Sequence, residues 1–213
     1  MKRFKRTAEK LAQEITVNKR QYLLTAGLFL LGILSGSIAA ITTGETPHHP
    51  IKDFLDRFLS AYPLQGAAKS EVFLLSLQNH LRLAALMWIS GWFVWLLPVG
   101  LLQVGSKGFR TGFTVACLLK CYGLRGILLA ILIILPQNLL LIPALCFFMV
   151  YQLRFSADRR YLRRFMPPTP LKRQVYLHNL AVTAVFLFLL LLCTLIESCI
   201  VPTLLQPFCS LFY

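Results

Sequence analysis

The sequence predicts an all-α, polytopic membrane helix bundle of about five transmembrane helices, with one short or re-entrant segment and a proline-broken helix. Three observations predict it. Of the 213 residues, 57% are hydrophobic, and mean hydropathy is +0.66, a balance that a soluble domain rarely carries. The apolar residues fall into runs near the roughly 20 residues that cross a bilayer. The net charge of +14 sits between those runs. It therefore reads as a topology signal and not as a nucleic-acid footprint.

Residues 1–21 are a basic segment with Phe4, Ala8, Leu11 and Ile15 at helical spacing, suited to an anionic inner leaflet. Residues 22–213 form one transmembrane domain, with expected spans at 22–41, 83–104, 108–122, 126–151 and 176–196. Ser37 and Ala39 stand at signal-cleavage spacing, but the long preceding segment with Glu9 and Glu14 favours an uncleaved anchor. Gly32, Gly36 and Ala40 recur every fourth residue, a stripe that admits a close neighbour helix. Lys107 and Arg110 are expected on the same side as 1–21 and 154–173, which gathers most of the 22 Lys and Arg residues there. The N-terminus is then cytoplasmic and the C-terminus outside the plasma membrane.

The longest exterior segment is 42–82. Within it Ile51, Phe54, Leu55, Phe58 and Leu59 repeat at 3–4 spacing, with Lys52, Asp53, Asp56 and Arg57 opposite. This amphipathic helix, 51–59, could bind a partner, lie on the outer leaflet of the lipid bilayer or cap the bundle. Glu45, His48 and His49 are too loosely arranged to predict a metal site, and the six cysteines show no zinc spacing. Cys199 and Cys209 fall on one expected side, where a disulfide could form. A further helical stretch, 71–81, leads into the second span, where Trp88, Trp92 and Trp95 are expected on one face and Pro98 should kink the helix.

Residues 108–122 offer only about fifteen residues, short of a core about 30 Å thick, so a short crossing or a re-entrant hairpin is expected. The next run, 126–151, carries Pro136, Gln137, Asn138 and Pro143. Each proline removes one helical hydrogen bond, freeing the carbonyls of Leu132 and Leu139. A broken, polar span must face protein or a cavity. Gln137 and Asn138 are the nearest groups able to satisfy the freed carbonyls.

The sequence carries no metalloprotease, serine-hydrolase or phosphate-loop signature, so a non-enzymatic protein without a cofactor is expected. Asp and Glu are absent from the interiors of the expected spans, Glu197 lying at an exit. That speaks against ion-coupled transport. A channel or transport subunit with a polar path at Gln137 and Asn138 stays open as an alternative.

Leu86-Met87-Trp88-Ile89-Ser90-Gly91, Lys107-Gly108-Phe109 through Gly112-Phe113-Thr114-Val115, Leu135-Pro136-Gln137-Asn138-Leu139 with Pro143, and Ile196-Glu197 followed by Pro202 resemble the stage II sporulation protein M family. The resemblance implies a five-span, non-catalytic scaffold that acts in engulfment. Its partners would be two cell-wall hydrolases, stage II sporulation proteins P and D, placed at the sporulation septum for peptidoglycan remodelling. The sequence is also compatible with a homo-oligomer.

Overall fold

The computed structural model describes residues 16–42, 69–165 and 170–200. Five helices account for nearly all of them: α1 (Lys19–Thr42), α2 (Lys69–Trp92), α3 (Leu97–Tyr122), α4 (Leu124–Phe165) and α5 (Pro170–Leu195). Three helical stretches, Lys19–Thr42, Leu124–Leu162 and Arg173–Cys199, are long and apolar enough to cross a membrane. The amphipathic helix expected at 51–59, with its proposed contacts Ile51, Phe54, Leu55, Phe58 and Leu59, lies outside the described residues, as do Glu45, His48, His49, Pro202 and Cys209.

The first break in the chain is not where the expected spans put it. The helix beginning at Lys69 runs to Trp92, Phe93 turns to an extended conformation, and Val94–Leu96 form one 3₁₀ turn. Pro98 then stands in the first turn of α3, where a missing N–H costs nothing, so it starts a helix and kinks none. The expected span 83–104 is thereby divided between two helices. Residues 108–122 are the second half of α3, whose 26 residues reach about 39 Å, so the short or re-entrant segment disappears. Trp88 and Trp92 share a helix face, while Trp95 sits in the turn and is 92% exposed.

Gly123 closes α3 with φ 59°, the only positive φ among the described residues, and α4 departs immediately. α4 is continuous for 42 residues, through both Pro136 and Pro143. The expected break at Pro136 therefore does not interrupt the helix. Each proline deletes a single hydrogen bond of the ladder, and the buried Leu141 and Leu145 hold the neighbouring turns against the core. Neither carboxamide of the Gln137-Asn138 pair bonds the Leu132 or Leu139 carbonyl, and the Gln137 Oε1 and Asn138 Oδ1 atoms are themselves unpaired. The basic segment expected as a loop at 154–173 is mostly helix, because α4 persists to Phe165 and α5 begins at Pro170. Arginine and leucine there are good helix formers.

Side-chain contacts fix the helix directions. α1 lies alongside α3 with the same polarity, Gly32 facing Gly105 and Lys120 Nζ donating to the Ile41 carbonyl at 3.2 Å. α4 runs back along α3, with Gly126 against Leu118 and Met149 against Gly100. α5 returns along α4, the Phe148 and Phe186 rings stacked at 4.0 Å. α2 is antiparallel to α5, Trp92 stacking on Tyr176 at 5.6 Å while His80 meets Thr194. The core where α2, α3, α4 and α5 meet is built from Met87, Val104, Leu141, Leu145, Phe148 and Leu190.

Candidate functional site

Two polar regions are enclosed by this apolar bundle. The larger lies where the first half of α2 meets the end of α5. Ser76 and His80 are one turn apart, so they share a helix face, and both are buried. Beyond Leu195 the chain widens into one π turn, Ile196–Ile200. This wider turn, of a kind frequent at functional sites, presents Glu197 to α2. Ser76 Oγ donates a hydrogen bond to Glu197 Oε2. His80 Nδ1 lies 3.3 Å from Ser76 Oγ and 3.1 Å from Thr194 Oγ1.

The proton order of this cluster follows from its partners. Thr194 Oγ1 already donates to the Leu190 carbonyl at 2.9 Å, and Ser76 Oγ donates to the carboxylate. Both hydroxyl oxygens are left to His80 as acceptors, so Nδ1 carries the ring proton and is shared between them. His80 thus offers Ser76 an N–H and not a lone pair, the reverse of what activates a serine nucleophile. This is a clamp joining α2 to α5.

Basic charge reaches the same cluster from α3. Lys107 and Arg110 lie close enough to His80 for electrostatic interaction, and Lys107 also senses Glu197. Lys107 is half-buried and its place in α3 is about 15 Å along the helix from Leu97. Lys107 and Arg110, expected at and beside the junction of two spans, lie instead inside one continuous helix. They belong to the body of α3, where their charges sense a cluster at the far end of α5.

The second region is the Gln137-Asn138 turn of α4. Gln137 and Asn138 are 9% and 6% exposed, and Cys193 Sγ approaches the Gln137 carbonyl at 3.9 Å. Asn138 lines a cleft of about 420 Å³ between α3 and α4, together with Thr111, Ile131, Ile134, Leu139 and Pro143. Pro136 is not among its walls. Glu197 and the Gln137-Asn138 pair are therefore both in the bundle but belong to separate surroundings.

The opposite end is aromatic and basic. Trp92 meets Phe155 and Tyr176, and Arg159 donates from Nη1 to the Trp92 carbonyl while lying 5.0 Å over its ring. Gln152 Nε2 donates to Asn179 Oδ1 at 3.3 Å, both residues buried. Sequence reasoning missed Ser76 and Thr194, passed over His80, and took Lys107 for a topology signal. The readable signal was the Ser-His pair four apart on α2, but its acceptor Glu197 is 121 residues from Ser76.

No curated protein and no solved structure matches the chain. The family model of Stage II sporulation protein M matches residues 25–202, which takes in both polar regions and all five helices from the second turn of α1 onward. The chain belongs to the stage II sporulation protein M family.

Proposed function

We propose that the chain is a non-catalytic integral membrane scaffold that recruits and positions peptidoglycan-degrading enzymes, stage II sporulation proteins P and D, at the septal membrane during sporulation engulfment. The observation that carries this reading is the family match over residues 25–202. The helix directions support five crossings. The start of α1 at Lys19, the turn between α2 and α3, and the arginine-rich end of α4 gather at one end of the bundle. That end is cytoplasmic by its positive charge, which leaves the C-terminus outside. The clamp at Ser76 and Glu197 suits a platform, since it fixes two helices without holding a reactive group free. Affinity purification of the full chain from membranes that also contain both wall enzymes should recover the enzymes with it. Recovery at the level of an unrelated membrane protein would contradict the proposal.

One observation favours a second reading, a transport subunit. His80 and Glu197 are linked through the Ser76 hydroxyl, and buried ionisable groups of this sort are what coupled transport uses. Purified chain in liposomes would then dissipate a proton gradient, and Glu197→Gln would stop it. Vesicles that stay as tight as protein-free ones remove this alternative.

A further inference from the structure

At the basic end of the bundle, α4 and α5 enclose a recess of about 420 Å³ whose walls mix polar and apolar surface. Its volume is in the range of small-molecule sites. Tyr151, Arg154 and Asp158 recur at 3–4 spacing and share one face of α4, while Gln152 and Ser156 turn into the bundle and are buried. Phe155 forms the floor, and Gln174 and His178 supply the α5 wall. The His178 ring stands edge-on to Tyr151 at 5.8 Å. Trp92 of α2 occupies the other side of this helix pair, meeting Phe155 and stacking on Tyr176. Asp158, Gln174 and His178 are exposed, so the recess opens outward, away from the core.

Depth and charge decide its occupant. α4 carries no charged side chain between Arg125 and Arg154, a stretch of about 43 Å along the helix. That length matches a bilayer with its headgroup regions, about 40–45 Å. With α4 crossing, Arg154 stands at headgroup level on the cytoplasmic side. The aromatic rings agree with this depth, since Trp92, Tyr151 and Tyr176 cluster here and Trp95 is 92% exposed, as in an interfacial belt. The Arg154 guanidinium has five N–H donors, more than one partner can occupy, in a fork that suits phosphate. Asp158 stands one turn further out, about 6 Å along α4. Direct attraction between these two at a solvated surface is weak, so an occupant can take both. Phosphate within and ammonium outside is the order of charges in an ethanolamine phospholipid headgroup. Toward the core, Leu140 and Val185 continue the two faces of the recess and are exposed, a track for acyl chains.

We propose that this recess binds a phospholipid of the cytoplasmic leaflet, with Arg154 on its phosphodiester and Asp158 on the ammonium of an ethanolamine headgroup. The site rests on the five crossings of the scaffold reading and not on enzyme recruitment, so failure to recover either wall enzyme leaves it standing. Full chain stripped of lipid in detergent is titrated with phosphatidylethanolamine or phosphatidylglycerol of the same acyl chains, and retained lipid is counted by native mass spectrometry. Wild type should hold the ethanolamine lipid about tenfold more tightly. Arg154→Gln should weaken both lipids by about tenfold, and Arg154→Lys should restore part of the loss. Asp158→Asn should erase the preference without weakening phosphatidylglycerol. Gln174→Trp, placed at the exposed mouth, should exclude both lipids from a chain that stays monodisperse, which keeps the test decisive if Arg154→Gln does not fold. Retention unchanged by Arg154→Gln and Gln174→Trp, or phosphatidylglycerol held as tightly as phosphatidylethanolamine by wild type, would overturn the site. Competition by glycerophosphoethanolamine at the concentration of the lipid itself would make the ligand a soluble phosphodiester and also overturn it. Labelling of Asp158→Cys from outside intact cells would remove the five crossings and the site together.

Discussion

The seam between α1 and α3 and the joint between α2 and α5 hold the same bundle together by opposite means. At the seam, side chains are absent. A Cβ on Gly32 or Gly36 would fall onto the carbonyls of Gly105 or Phe109, and one on Gly108 or Gly112 onto those of Phe29 or Ile33. Ser37 adds a polar link, Oγ donating to the Gly112 carbonyl at 3.3 Å. At the joint, polar side chains do the fastening, through Ser76, His80, Thr194 and Glu197. Lipid is as apolar as leucine, so burial alone cannot choose a partner helix. Close backbone contact and matched hydrogen bonds are the two remaining ways to choose one, and this chain uses both.

The largest effect is expected at the seam. Gly108→Leu or Gly112→Val has no room, because the obstructing atoms are backbone. Either change should lower stability by the upper part of about 1–3 kcal/mol, with folded yield falling accordingly. Unfolding in mixed micelles measures this, and a wild-type midpoint would show that the helices are not in backbone contact.

A smaller effect is expected at the joint. Glu197→Leu leaves the Ser76 hydroxyl without its acceptor and Lys107 without the carboxylate it senses. The cost should be about 1–3 kcal/mol, toward the lower end because Glu197 is half-buried. Exchanging the charges, Lys107→Glu with Glu197→Lys, should recover part of it. A double variant no better than the worse single one would show that the two residues do not interact.

The smallest change concerns Asn138. Removing an unpaired buried acceptor should be neutral or slightly stabilising for the isolated chain, by up to about 1 kcal/mol. Asn138→Leu therefore ought to keep or raise the unfolding midpoint. A clear loss of stability would mean that the carboxamide has a partner inside the bundle.

How legible these features were in the sequence follows from the distance each signal spans. The glycine stripe of α1 could be read because Gly32, Gly36 and Ala40 lie on one face of one helix. The last helix could be read from its long apolar run. α3 could not, because Lys107 and Arg110 lower its hydropathy and imitate a loop, and Pro98 imitates a kink when it is a helix start. Glu197 drew attention by its charge alone. Its clamp could not be seen, because Ser76 and His80 belong to a helix far away in the chain. The proline pair misled in the other direction. Pro136 and Pro143 suggested a break, whereas a packed helix absorbs two missing hydrogen bonds and keeps its course.

The electrostatic part of the joint depends on Lys107 lying inside the bundle and not in an aqueous cytoplasmic segment. Labelling by a membrane-impermeant maleimide tests this directly, in a chain whose native cysteines are replaced and which carries Lys107→Cys, Tyr122→Cys or Asp158→Cys. Tyr122→Cys should react in intact cells and Asp158→Cys only in inverted vesicles, while Lys107→Cys should resist the reagent in both. Labelling of Lys107→Cys in inverted vesicles as fast as that of Asp158→Cys would return this residue to the cytoplasm and contradict the account.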